Sequence, residues 1–71
     1  MLTKNQNLLI DMLASLKISE TTAILLISAL DEKQMEEMME FLVESHEEGT
    51  DATEEEVIKM YLILQKEAGK I

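Results

Sequence analysis

Apolar residues recur along this chain at steps of three and four, the period of a helix that buries one side. Leu2, Leu9, Met12, Leu13 and Leu16 fall on one face of a helix spanning about 4–16, with Leu8 at its edge and Ile10 pointing away. Thr3 stands where an N-cap belongs, and Gln6 three residues later completes a capping box. Met35, Met38, Met39 and Leu42 repeat at i, i+3, i+4 and i+7 in a helix over 32–48, opened by Asp31 with Gln34 as its capping-box partner. Val57, Tyr61, Leu64, Ala68 and Ile71 step by four and three through a helix over 54–69, with Ile58, Leu62 and Met60 widening that stripe. Thr53 and Glu56 form its capping box, and Glu54, Glu55 and Glu56 sit where a helix dipole favours acids.

The stretch Thr21–Leu30 is the longest without a charge. Ala23, Leu26, Ile27 and Leu30 share a stripe, while Ile24 and Leu25 fall on other sides, so the segment is apolar over most of its circumference. Such a helix is expected to be buried. A short apolar run also suits a buried strand, but the flanks argue for a helix. Ser19 is a good N-cap, Ile18 can staple onto Ala23, and no segment with period-2 alternation exists to pair with it. The reading is a central helix at 19–30 against which the others pack. It is too short to cross a bilayer, which takes about 20 apolar residues. Lys17 and Ile18 make a corner of the length that joins antiparallel helices. Gly49-Thr50-Asp51-Ala52 is the one obvious loop, with Gly49 placed to end a helix in the left-handed conformation. The pattern predicts an all-α fold, a compact bundle of four short antiparallel helices (4–16, 19–30, 32–48, 54–69) in a single domain, 1–71.

Composition narrows the chemistry. A chain of 71 residues is near the lower limit for a core that holds unaided. With no cysteine there is no disulfide, thiolate metal site or cysteine nucleophile. One Phe, one Tyr and no Trp leave an aliphatic core with six methionines as fillers. The start, M-L-T-K-N-Q-N, lacks the apolar run of a signal peptide, so the cytoplasm is the expected compartment. Charge is segregated. Residues 1–30 are neutral, 31–56 carry twelve acids against Lys33, and 57–71 are mildly basic, giving −9 in all. In the third helix the acids Glu36, Glu37, Glu40, Glu44, Glu47 and Glu48 share the face opposite the apolar stripe. Like charges at these spacings repel, and Glu47 and Glu48 oppose the helix dipole, so this helix depends on packing.

No stretch carries a catalytic signature. The chain has no nucleophile–base pair, no phosphate-cradling glycine loop and no cofactor fingerprint, so neither an enzyme nor a cofactor is expected. His46 has no second histidine or cysteine for company, and H-E-E-G-T-D matches neither H-E-x-x-H nor a calcium loop. Its expected role is structural, at a helix C-terminus. An acyl carrier, also small, acidic and helical, needs a serine after Gly-x-Asp, where this chain has Ala52. Direct nucleic-acid binding is disfavoured by the net charge and by the want of a basic helix. Helix 4 offers only Lys59, Lys66 and Lys70, on a face shared with Ile63.

Two features remain. Ile10, Phe41, Ile63 and Leu25 lie off their stripes; singly exposed apolars are ordinary, but together they are candidates for a contact surface toward a second copy or a partner helix. The methionine face is adaptable enough for binding, although its spacing is that of core. The acid face of helix 3 reads as a solvated surface, or as a row of carboxylates imitating a phosphate backbone. The pattern T-T-A-I-L-L-I-S-A-L-D-E-K-Q-M-E-E-M-M-E-F-L, followed by A-T-E-E-E-V-I, resembles small uncharacterised helical proteins encoded on mobile elements of Clostridium-like bacteria, over about residues 19–58. That resemblance implies no known activity and carries over no site residue, and it slightly raises the expectation of a role in element maintenance or regulation. The functional expectation is a non-enzymatic protein–protein interaction module whose partner is another protein or a second copy of the chain, with no membrane contact. The alternative is an acidic decoy that occupies a nucleic-acid-binding protein.

Overall fold

The computed structural model describes residues 1–69; Lys70 and Ile71, expected on the basic face and the apolar stripe of the last helix, lie outside the described residues. The chain is all-helical: α1 (Lys4–Ser15), α2 (Glu20–Ala29), α3 (Glu32–Glu47) and α4 (Glu54–Glu67).

Each helix starts where the sequence places a cap. The Thr3 hydroxyl accepts from Gln6 N at 3.1 Å while Gln6 Oε1 accepts from Thr3 N at 2.8 Å. Asp31 and Gln34 make the same reciprocal pair at 2.8 and 3.1 Å, as do Thr53 and Glu56 at 3.3 and 3.0 Å. Ser19 Oγ accepts from Thr22 N at 3.3 Å. These bonds satisfy amide groups that a helix start leaves without partners.

Each helix ends a residue or two before its expected bound, at Ser15, Ala29, Glu47 and Glu67. Gly49, at φ +85°, closes α3: Gly49 N donates to His46 O at 3.0 Å and Thr50 N to Ser45 O at 3.1 Å, the two bonds of a Schellman motif. The end of α1 has the same pair, from Lys17 N to Ala14 O and Ile18 N to Leu13 O, each at 3.0 Å. Here the left-handed position is filled by Lys17, at φ +61°, instead of a glycine.

α1 packs against α2 and α3, and α4 packs against the same two helices. Leu9, Leu13, Leu26, Met38 and Val57 are fully enclosed, joined by Ile18, Leu30, Met35, Leu42 and Leu64 in one core. Met39 is half-buried against this cluster, so the methionine face is core. Ala52 is buried just before the Thr53 cap, and Val57 lies at the fourth helical position, the pair of a hydrophobic staple. α3 and α4 run antiparallel, tied by Gln34 Nε2, which donates to Leu64 O of the far helix end at 3.2 Å.

The expectation of a central helix at 19–30 is corrected. Within α2 only Thr22 and Leu26 are buried, while Ile24 is 58 % and Leu25 43 % exposed. The most extensive pairing is α1 with α3. The reason is size: the molecule is 20 Å across its shortest dimension, room for two layers of helices about 10 Å thick. Four short helices in two layers cannot surround a fifth side, so an all-round apolar helix keeps one face in water.

Candidate functional site

The flank of α3 that turns toward α4 carries Glu37, Glu40, Phe41 and Glu44, at i, i+3, i+4 and i+7. Facing it, α4 contributes Met60, Leu64 and Glu67 at i, i+4 and i+7. Between these rows lies a groove of about 360 Å³ lined by all seven side chains. Phe41 and Met60 also line an adjoining depression of about 210 Å³ with Glu56, Lys59 and Ile63. The two depressions share Phe41 and Met60 in their linings and together form the α3–α4 channel. Leu64 at its base is buried, Phe41 and Met60 are half-buried against the core, and Ile63 at the rim is 50 % exposed.

The channel is electrically polarised. Its wider part is bordered by the carboxylates of Glu37, Glu40, Glu44 and Glu67 with no cation among the lining residues. At the other end the lining holds one acid and one base, Glu56 and Lys59. Glu56 is already engaged, since its Oε1 accepts from Thr53 N and Thr53 Oγ1, and Lys59 Nζ lies 3.4 Å from Glu55 Oε1. The uncompensated negative charge therefore runs along the α3 border from Glu37 to Glu44, with Glu67 opposite its start, while the α4 border at Met60 and Ile63 is apolar.

The expected contact surface of Ile10, Phe41 and Ile63 is divided by the fold. Phe41 and Ile63 meet in the α3–α4 channel, with Phe41 half-buried instead of free. Ile10, also half-buried, lines a separate apolar groove between α1 and α2, with Leu2, Ala23, Ile24 and Ile27. The acidic surface divides too. Glu37, Glu40 and Glu44 face the channel, whereas Glu36 turns toward α1 and accepts from Asn5 Nδ2 at 3.3 Å. Glu47 and Glu48 are exposed where α3 ends. Met60, expected only to widen the apolar stripe of the last helix, and Glu67 are site residues that the sequence did not single out. Their wheel positions beside Ile63 were legible, but only the pairing of α3 with α4 shows that this flank meets Phe41.

His46 does not cap helix carbonyls with its ring. The ring is 79 % exposed, and Nδ1 lies 2.9 Å from Asp51 Oδ1, spanning the α3–α4 loop. Among the described residues no three His, Asp or Glu side chains gather as metal ligands would, and no helix is long and apolar enough to cross a membrane. One further carboxylate is tied into the fold. Glu54 Oε1 accepts from Ser19 N at 2.8 Å, joining the start of α4 to the start of α2, and this backbone hydrogen bond holds its pKa below the ordinary value.

No protein-family model matches the chain, and neither curated proteins nor solved structures give a match to it.

Proposed function

We propose that this chain is a non-enzymatic module that binds a segment of another protein in the α3–α4 channel. The observation that carries this reading is the meeting of Phe41 and Ile63, far apart in sequence, on a floor completed by Met60 and flanked by carboxylates without counter-ions. Apolar side chains lying over that floor would remove the exposed half of Ile63 from water, a gain of about 1 kcal/mol from that residue alone. The acid border adds attraction for cationic neighbours of those anchors and repels acidic ones, a contribution to specificity and encounter rate. A second copy of the chain is a poor occupant, since it would bring its own −9 charge against the same border.

The acidic-decoy reading uses the same carboxylates but gives the apolar floor no task, because a phosphate mimic needs charge alone. Affinity capture from lysate with the wild type, an Ile63→Ser variant and a Glu40→Lys/Glu44→Lys variant separates the two readings, with circular dichroism confirming that each variant folds. The binding module requires a partner that persists at high salt and is lost on Ile63→Ser. A partner unaffected by Ile63→Ser, released by salt and lost only on charge reversal, would overturn it in favour of the decoy.

A further inference from the structure

Resting on that reading of the channel, we infer that its occupant is a cationic amphipathic α-helix, lying with its basic stripe along Glu37, Glu40 and Glu44 of α3 and its apolar stripe over Met60 and Ile63 of α4. Three observations converge on this class of ligand.

The first concerns the walls. Both are helices whose backbone groups are used internally, and the described residues contain no strand whose edge a peptide could extend. An extended segment pressed into this channel would bury N–H and C=O groups against side chains that offer few partners. A helix carries its own backbone hydrogen bonds into the groove and presents only side chains.

The second is spacing. Glu37, Glu40 and Glu44 stand along one flank at helical intervals, seven residue steps of α3 or about 10 Å at ~1.5 Å per residue. A ligand helix alongside offers cations at the same rise when Lys or Arg recur every three or four positions over two turns. The opposite border contributes Glu67.

The third is polarity across the channel. The carboxylates of Glu37, Glu40 and Glu44 stand on the α3 border, whereas the α4 border at Met60 and Ile63 is apolar and Lys59 beside it is paired with Glu55. A ligand helix with a basic stripe beside an apolar one matches both borders at once, the first facing Glu37–Glu44 and the second covering Met60 and Ile63.

The test uses the full chain and three synthetic peptides of about 15 residues, long enough to hold helix when docked. One has leucines on one helical stripe and arginines on the adjacent stripe. The second has the same composition scrambled out of helical period. The third replaces the arginines with glutamates. Fluorescence anisotropy at low and high salt should show the patterned cationic peptide binding at least about tenfold tighter than either control. Glu40→Lys/Glu44→Lys should weaken it by about tenfold at low salt and by less at high salt, because salt screens exposed charge pairs. Ile63→Ser should weaken it several-fold at both. Equal binding of the scrambled peptide or indifference to charge reversal would each overturn the inference. If lysate capture is nonetheless abolished by Ile63→Ser, the binding module stands and only the identity of its ligand falls; if capture is indifferent as well, both fall.

Discussion

Lys17 is the residue at which the cost of this fold is most open to measurement. It sits at φ +61°, closing the Schellman motif that turns the chain from α1 into the start of α2. A residue with a Cβ loses about 1–2 kcal/mol in that left-handed conformation, whereas glycine enters it freely. Glycine in turn gives the unfolded chain more freedom to lose, worth about 0.4–1 kcal/mol. The difference leaves Lys17→Gly more stable than Lys17→Ala by roughly 1 kcal/mol. Alanine is the proper comparison, since both changes remove an ammonium that interacts favourably with the negative end of α1, an effect of about 0.3–1 kcal/mol. Against the wild type the glycine variant should then gain about 0.5 kcal/mol, while the alanine variant should lose a similar amount. In a domain of this size 1 kcal/mol corresponds to about 4–8 °C in Tm. With a urea m value near 1 kcal/mol/M, the glycine and alanine midpoints should separate by about 1 M. Urea unfolding followed by circular dichroism for the three proteins reads this directly. A glycine variant no more stable than the alanine variant would show that the corner relaxes to a right-handed path once Lys17 is changed, and would refute the reasoning.

Other expected outcomes follow from the same packing. Leu26 is fully enclosed, so Leu26→Ala should cost about 2–5 kcal/mol, whereas Ile24→Ser on the wet side of α2 should change stability by less than about 1 kcal/mol; equal costs would restore the buried-helix reading. Gln65 is 4 % exposed and its Oε1 has no partner, so Gln65→Met should raise the urea midpoint by the equivalent of about 1 kcal/mol, and a fall would point to a bond made by that oxygen. Glu54 has a depressed pKa in the folded state, so the stability it contributes is present above the ordinary carboxylate value of 4.5 and is lost as pH falls through its lower folded value. The stability difference between the wild type and Glu54→Gln should therefore shrink on acidification from pH 7. A difference that stays constant would mean that the bond to Ser19 does not favour the ionised form.

Much of the architecture was legible locally. Caps act within three or four residues, so Thr3, Ser19, Asp31 and Thr53 announce their helices without help from the rest of the chain. The same locality makes the stripes of α1, α3 and α4 readable, because helical period alone decides which residues share a face. The acid belt and the aliphatic core are composition, and they need no fold to be seen.

What a helix face meets is settled only by packing. Apolar residues all around α2 say nothing of how many neighbours a chain this short can supply, and the two-layer arrangement left Ile24 and Leu25 in water. Lys17 carries no sign of its left-handed backbone, which the docking of Ile18 into the core imposes on it. The candidate site depends on the same kind of decision. By sequence Phe41, Ile63 and Ile10 were equivalent departures from their stripes, grouped as one candidate contact surface. The antiparallel pairing of α3 and α4 brought those two together over Met60 and sent Ile10 to another groove. Local sequence determined the helices and their faces; tertiary structure decided which faces meet, because contacts between residues far apart in the chain exist only once the helices are placed.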